Sequence, residues 1–239
     1  MSDNRDILPI HIAIIPDANR RWAKQKGYNP WIGHLWGARN VQKILKEALN
    51  MKIKCVSFWG GSYDNLTKRP EIEIKYLFKI YADYIVKLLK RKEIQKHGIR
   101  IKVIGRHKEL LPERTLKEIE KLEQLTKNNK NYYLNILIGY NGTDEMLDAI
   151  KNIIRVKTNV ENITEETVKK HLWANETPPV DLIIRTGLER DQHNSAGFMM
   201  WDTAYSQYYF TKTMWPDFTP EEFRKAIEKF LQTERRGGK

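Results

Sequence analysis

Cysteine is almost missing from this chain. Its 239 residues hold one, Cys55, which excludes an intramolecular disulfide framework and leaves no thiolate cluster for a metal. No apolar run approaches the length needed to span a bilayer, and the opening Met1-Ser2-Asp3-Asn4-Arg5-Asp6 lacks a secretory-signal pattern. There is no internal repeat, low-complexity tract or linker-like shift in composition. Pro178-Pro179 stands just before a strand-like run and reads as a loop. The common nucleotide and hydrolase motifs are absent too: no Gly-x-Gly-x-x-Gly, Walker loop, His-Glu-x-x-His or Gly-x-Ser-x-Gly. No Asp-Asp-x-x-Asp pair offers a metal cluster. The histidines, His11, His34, His97, His107, His171 and His193, lack metal-ligand spacing. Acid is in short supply: 30 Asp and Glu against 42 Lys and Arg give a net charge of +12. Such an excess suits anionic partners, whether nucleic acid, membrane headgroups or phosphorylated small molecules. The remaining composition, 41% hydrophobic and 30% charged, is that of a globular protein rather than a disordered one, and together with the absences above it sets the expectation of a soluble, cytoplasmic protein.

What is present is an alternation of strand-like and helix-like segments. Strands are expected at His11–Pro16, Cys55–Trp59, Ile99–Gly105, Tyr132–Tyr140, Val180–Thr186 and Gln207–Thr211. Runs such as Ile12-Ala13-Ile14-Ile15 have little polar alternation, as in strands covered on both faces. Helical spacing links Val41, Ile44, Leu45, Ala48 and Leu49. A long helix is expected after Pro70, carrying Leu77, Ile80, Tyr81, Tyr84, Ile85, Leu88 and Leu89 and ending near His97-Gly98. Another follows Pro112, with Leu116, Ile119 and Leu122. Thr143 is a candidate cap for a helix bearing Met146, Leu147, Ile150, Ile153 and Ile154. Thr219-Pro220-Glu221-Glu222 reads as a capping box. The alternation predicts one α/β domain over residues 1–239 with a mainly parallel sheet, and such sheets bind ligands beyond the carboxyl ends of their strands.

Two strand ends carry chemistry. After the first strand comes Pro16-Asp17-Ala18-Asn19-Arg20-Arg21-Trp22-Ala23-Lys24. A carboxylate able to hold Mg²⁺, two guanidiniums and a helix start fit a diphosphate. The same residues also suit a plain helix cap with solvated arginines. The second constellation is Asp181-Leu182-Ile183-Ile184-Arg185-Thr186-Gly187-Leu188-Glu189-Arg190, where a buried strand again delivers arginine at its carboxyl end. A third segment, Tyr63-Asp64-Asn65-Leu66-Thr67-Lys68-Arg69-Pro70, is an ordinary turn when taken alone.

Taken together, these segments resemble the cis-prenyltransferase (undecaprenyl diphosphate synthase) family. The resemblance runs from His11 to the C-terminus. Further markers are Gly33-His34 with Gly37-Ala38, Tyr140-Asn141-Gly142, Trp201 to Phe210, Trp215-Pro216-Asp217-Phe218 and Glu234-Arg235-Arg236-Gly237. The resemblance implies a parallel sheet of six strands surrounded by helices, a hydrophobic tunnel and a homodimer. It implies Mg²⁺-dependent coupling of an allylic diphosphate to isopentenyl diphosphate, giving a Z-configured prenyl diphosphate. Asp17 would be the catalytic and Mg²⁺-linked residue, with Asn65 near the reacting carbons. Ala18, Asn19, Arg20, Arg21, Trp22, His34 and Arg69 would surround the allylic diphosphate. Arg185, Arg190 and Ser195 would hold the second diphosphate, and Arg235 and Gly237 would reach toward the partner subunit's site. Peripheral membrane association is a further expectation; nucleic-acid binding, motivated by charge alone, is not.

The departures from the family pattern point to an unusual member. Two glycines of the family's first motif are replaced here by Ala18 and Arg20. A family arginine falls at Pro30, and a Mg²⁺-binding glutamate falls at Gln207, a neutral amide and a poor substitute on that ion. The loop from Arg185 to Trp201 is longer than usual and contains His193. Phe58 and Trp59, with Tyr76, Phe78, Tyr81 and Tyr84 on the next helix, suggest a shortened tunnel. The expected product is therefore short-chain. Irregular, lavandulyl-type coupling of dimethylallyl diphosphate, cyclisation, and a non-catalytic subunit role are the alternatives.

Overall fold

The computed structural model describes residues 8–188 and 192–233. Six strands form its sheet: β1 (His11–Ile15), β2 (Cys55–Gly61), β3 (Ile99–Ile104), β4 (Tyr132–Ile138), β5 (Leu182–Arg185) and β6 (Gln207–Phe210). Their order is β3-β4-β2-β1-β5-β6, and every pairing is parallel. The expected α/β architecture with six parallel strands is thus present. Every residue of β1 and β5 is buried, which explains the apolar runs at residues 12–15 and 182–184.

Ten helices surround the sheet among the described residues: α1 (Asn19–Gln25), α2 (Pro30–Asn50), α3 (Tyr63–Thr67), α4 (Glu71–Leu89), α5 (Lys92–His97), α6 (His107–Leu110), α7 (Glu113–Thr126), α8 (Gly142–Arg155), α9 (Glu165–His171) and α10 (Pro220–Gln232). On one face, Ile12, Ile14, Val56, Ile101 and Ile184 pack with Ile44, Leu77, Ile85, Ile119, Leu122, Phe223 and Ile227 from α2, α4, α7 and α10. On the other face, Ala13, Ile15, Trp59 and Ile183 meet Tyr140, Ala174, Phe198 and Met199. The Thr219 capping box forms as its sequence predicts.

Three expectations change. The helix after Pro70 breaks at Lys90-Arg91 and restarts as α5. Ile85 and Ile94 are both buried, yet nine residues apart they would lie on opposite sides of one continuous helix; the break lets both reach the core. Asn141, not Thr143, occupies the N-cap of α8. Gly142 opens that helix against the 195–197 loop, where a Cβ would lie 1.8 Å from the Gly197 carbonyl oxygen. Finally, α8 does not bury its whole apolar set: Leu147, Ile150 and Ile154 are exposed, Ile154 by 70%.

β1 lies between β2 and β5, so the chain leaves it in one direction and returns on its other side. This is the switch point at which a parallel sheet opens a crevice beyond its strand ends. Asp17 follows β1 and Arg185 ends β5, which places them together there.

Candidate active site

Backbone bonds fix Asp17 from three directions. Its N–H donates to the Ile15 carbonyl at 3.1 Å and to Thr186 Oγ1 at 3.0 Å. Thr186 Oγ1 donates back to the Asp17 carbonyl at 3.2 Å, and the Trp215 N–H reaches the same carbonyl at 3.1 Å. The carboxylate itself is 40% exposed. It accepts from the Ala18 N–H at 2.5 Å and from Arg185 Nη2 at 3.2 Å.

Arg185 is 5% exposed. Its Nη1 donates to the His193 carbonyl at 2.7 Å, while its Nε is buried without a partner. A buried guanidinium N–H left over beside a carboxylate is what a phosphate oxygen would satisfy. Arg21 Nη2 donates to the Gly187 carbonyl at 2.5 Å, tying α1 to the turn after β5.

Close approach of α1 and α2 depends on two glycines. A Cβ on Gly33 would lie 2.0 Å from the Asn19 carbonyl oxygen, and one on Gly37 would lie 2.2 Å from Asn19 Oδ1. That contact delivers His34 to the site. Ala18 precedes α1 in the left-handed region at φ 73°, a conformation that costs an L-residue about 1–2 kcal/mol.

A second cluster forms around Glu73, which is 2% exposed. His34 Nε2 lies 2.9 Å from Glu73 Oε1, Arg69 Nη1 lies 3.2 Å from the same oxygen and Arg20 Nε lies 3.4 Å from Oε2. Arg69 Nη2 also donates to Asn65 Oδ1 at 2.9 Å, and the Asn65 N–H is held by the Ser62 side chain at 3.0 Å. Burial opposes the Glu73 charge, but the His34 bond and the guanidiniums of Arg69 and Arg20 outweigh it and hold the carboxyl below its ordinary value. Burial also lowers His34, despite the Glu73 bond, so the imidazole is neutral at neutral pH. Burial moves Arg69 downward as well.

Both clusters line one cavity of about 630 Å³. Its wall includes Asp17, Ala18, Asn19, Arg20, Arg21, His34, Asn65, Arg69, Arg185 and Ser195. From this polar mouth it runs between α2 and α4. Val41, Leu45, Leu77, Ile80, Tyr81, Tyr84 and Leu88 form its sides; Phe58, Leu134 and Ile136 of β2 and β4 also line it. Gln42 and Arg91 line it too, and Arg91 Nη2 donates to Gln42 Oε1. Phe58 and Trp59 both border the cavity, and Tyr81 donates to the Gly60 carbonyl at 2.8 Å. Tyr76 instead stacks on Trp31 at 5.0 Å, and Phe78 packs into the core.

Other sequence expectations fall elsewhere. Trp22 is buried, packs against Tyr28 and Trp36, and is not among the residues lining this cavity. Gln207 pairs with Leu182 at the start of β6, three residues before the pair Arg185 and Phe210. At about 3.3 Å per residue, it stands some 10 Å from the strand end that carries the site. Pro30 is the first residue of α2, where proline's fixed φ is well suited. Arg190, Arg235 and Gly237 lie outside the described residues.

Sequence reading missed Glu73. Its available signal was the i,i+4 spacing from Arg69. It also missed the Gln42–Arg91 pair, which joins segments 49 residues apart.

The donor set suits Mg²⁺ in a limited way. Among the described residues no group of three or more His, Cys, Asp or Glu side chains could enclose a metal. One half-exposed carboxylate beside guanidiniums able to hold phosphate oxygens would suit the way this ion is bound, through a carboxylate plus substrate phosphates and water.

Comparison with known proteins agrees with this chemistry. Residues 15–238 match the family described as "Putative undecaprenyl diphosphate synthase". An isoprenyl transferase of Fusobacterium nucleatum is 43% identical over 231 residues, covering 97% of this chain and 96% of that protein. A tritrans,polycis-undecaprenyl-diphosphate synthase (geranylgeranyl-diphosphate specific) of Pyrococcus abyssi is 37% identical over 237 residues, covering 98% of this chain and 88% of its own length. Among solved structures, lavandulyl diphosphate synthase from Lavandula x intermedia, in complex with dimethylallyl diphosphate, aligns with a TM-score of 0.87 and 27% identity, over 97% of this chain and 99% of that one.

Proposed function

This chain belongs to the undecaprenyl diphosphate synthase family and is a prenyltransferase, and on that premise we propose that its single domain, residues 1–239, joins an allylic diphosphate to isopentenyl diphosphate and releases a short, Z-configured prenyl diphosphate. The observation that carries this reading is the cavity with its polar mouth and apolar lane. The mouth gathers Asp17, Arg20, Arg21, Arg69 and Arg185, and the lane between α2 and α4 is lined by aliphatic and aromatic side chains.

In this reading Arg20, Arg21 and Arg69, with His34 and Asn19, hold the allylic diphosphate. The carbon–oxygen bond to that diphosphate breaks and its electron pair leaves on the bridging oxygen. Guanidiniums already in place stabilise that growing charge more than they stabilise the ground state. Mg²⁺, held by Asp17 and diphosphate oxygens, supplies further charge neutralisation when bound. Arg185 and Ser195, with Arg190, hold isopentenyl diphosphate so that its double bond meets the allylic carbon. The electrons of that double bond form the new carbon–carbon bond, and the proton then lost to make the next double bond passes to the departed diphosphate, a step that Asn65, near the reacting carbons, assists. Arg235 and Gly237 reach toward the partner's site.

The lining supports a short product: the bulky rings of Phe58, Trp59, Tyr81 and Tyr84 border the lane. The Gln42–Arg91 pair adds a charged group to the lining of the lane. Irregular coupling of two dimethylallyl units is the second reading; the likeness to lavandulyl diphosphate synthase favours it. Incubating the protein with dimethylallyl, geranyl or farnesyl diphosphate, with and without isopentenyl diphosphate, separates the two. Product that requires isopentenyl diphosphate supports regular elongation, and product from dimethylallyl diphosphate alone supports the irregular reaction.

We further propose a cytoplasmic homodimer with peripheral membrane contact. Leu147, Ile150 and Ile154 form an exposed stripe on α8, continued by Val156, Val160 and Ile163, a surface suited to self-association. No helix among the described residues is long and apolar enough to cross a membrane. Ile150→Asp with Ile154→Asp should convert the dimer to monomer in sedimentation velocity; an unchanged sedimentation coefficient would place the interface elsewhere.

A further inference from the structure

From Ala18 to Lys46 the chain contains no aspartate or glutamate. The same stretch carries Arg20, Arg21, Lys24, Lys26, Arg39, Lys43 and Lys46, together with Trp22, Tyr28, Trp31 and Trp36. It forms α1 and most of α2. Arg20 and Arg21 turn to the active-site cavity. The remaining five cations are exposed on the surface.

Three rings form a continuous aromatic row on that surface. Tyr28 lies 6.3 Å from Trp22, and Trp36 lies 5.7 Å from the same ring. Trp22 is 5% exposed, whereas Tyr28 is 51% and Trp36 42% exposed. The outer rings therefore project beyond a buried one. Cations accompany them: Lys26 sits over Trp22 at 5.2 Å and Arg39 over Trp36 at 5.2 Å. Beside the row is a groove of about 480 Å³ walled by Trp22, Trp36, Arg39, Lys43 and Phe218, with Asp217 as its acid. The indole N–H of Trp22 is buried without a partner.

We infer that this face of α1 and α2 is the surface by which the protein docks on an anionic lipid bilayer. Exposed Trp and Tyr rings have an apolar body and a polar edge, which suits the depth of lipid headgroups. Exposed Lys and Arg around them complement anionic headgroups, and an acid-free stretch avoids repelling them. Duplex nucleic acid would use the cations but not two projecting rings on one helix pair. The inference deepens the membrane contact proposed above by naming its residues, and it stands apart from the transfer reaction because Tyr28, Trp36, Arg39 and Lys43 do not line the catalytic cavity.

The test is co-flotation of the full chain with vesicles of phosphatidylcholine alone or mixed with phosphatidylglycerol. The wild type should float with the mixed vesicles and bind pure phosphatidylcholine far more weakly. Each cation near an anionic surface is worth a factor of about five, so Arg39→Gln with Lys43→Gln should lower partitioning roughly 25-fold. Tyr28→Ala with Trp36→Ala should also weaken it and remove quenching of tryptophan fluorescence by brominated lipid. Prenyl transfer from short soluble substrates without vesicles should be unchanged in the Arg39/Lys43 pair, so failure of the docking idea is distinguishable from failure of the reaction assigned. Absence of wild-type binding to mixed vesicles would overturn the inference. So would variants that bind as the wild type does, or a charge variant that loses duplex DNA while keeping its vesicle affinity.

Discussion

Replacing Glu73 tests whether the arginines of the site are held in place by one buried carboxylate. In Glu73→Ala the three basic neighbours lose a common partner. Arg20, 51% exposed, can turn to water and loses little. His34 is neutral and buried, and keeps only its 3.3 Å contact with Arg69. Arg69 is the costly one: its side chain is 21% exposed, and its charge stays in a poorly solvated place. Removing one partner of a buried pair costs about 3–5 kcal/mol. The partial exposure of two partners puts this case at the lower end, about 3 kcal/mol. For a domain of this size that lowers the melting temperature by about 6–12 °C. Glu73→Gln keeps an acceptor and the shape, and should cost about 1.5–3 kcal/mol, the worth of a charged hydrogen bond. Arg69 also orients Asn65, so both variants should raise the KM for the allylic diphosphate at least tenfold, with the alanine change the larger. Calorimetry and initial rates at varied allylic substrate would measure this. An alanine variant that melts with the wild type and keeps its KM would refute the hub.

Other expectations concern single positions. Asp17→Ala should abolish turnover while the chain still folds, with a lowered melting temperature because the buried Arg185 guanidinium loses its carboxylate partner; normal turnover would remove its assignment. Arg185→Ala should raise the concentration of isopentenyl diphosphate needed, more than that of the allylic partner. Arg91→Leu, by removing the charged group from the lane, should lengthen the product, as read by mass spectrometry; an identical product distribution would show that the limit lies elsewhere. Burial lowers the pKa of His11 from 6.5 to about 4. The folded protein therefore resists a proton that the unfolded chain accepts. Stability is intact above pH 6.5, falls as pH drops toward 4, and loses about 3 kcal/mol over that window. Urea unfolding of wild type and His11→Asn at pH 7.5 and pH 4 should show the variant with a shallower loss; equal losses would exclude His11 as the source.

The strands were legible in the chain because burial on both faces removes polar alternation, as in Ile12-Ala13-Ile14-Ile15. The main helices were legible because each keeps one apolar stripe. Ten of the residues marked as site candidates do line one cavity, since the motifs that carry them sit at strand ends and helix starts. What was not legible depends on contacts between distant segments. Glu73 looks like any surface acid of a helical i,i+4 pair until α1, α2 and α4 converge on it. Trp22 reads as part of the phosphate motif, but α1 turns it toward Tyr28 and Trp36. The exposed side of α8 reads as core because periodicity counts apolar residues and cannot say which partner covers them. Gln207 was placed by motif order alone, whereas the register of β5 and β6 sets it at the other end of the strand.

The central claim is that the cavity beginning at Asp17 and Arg185 builds short prenyl diphosphates. Mass spectrometry of products made by the purified chain from labelled isopentenyl diphosphate and geranyl or farnesyl diphosphate tests it most directly. The account predicts Mg²⁺-dependent products extended by only a few isoprene units, lost in Asp17→Ala. Long polyprenyl diphosphate as the sole product, or no condensation at all, would contradict it.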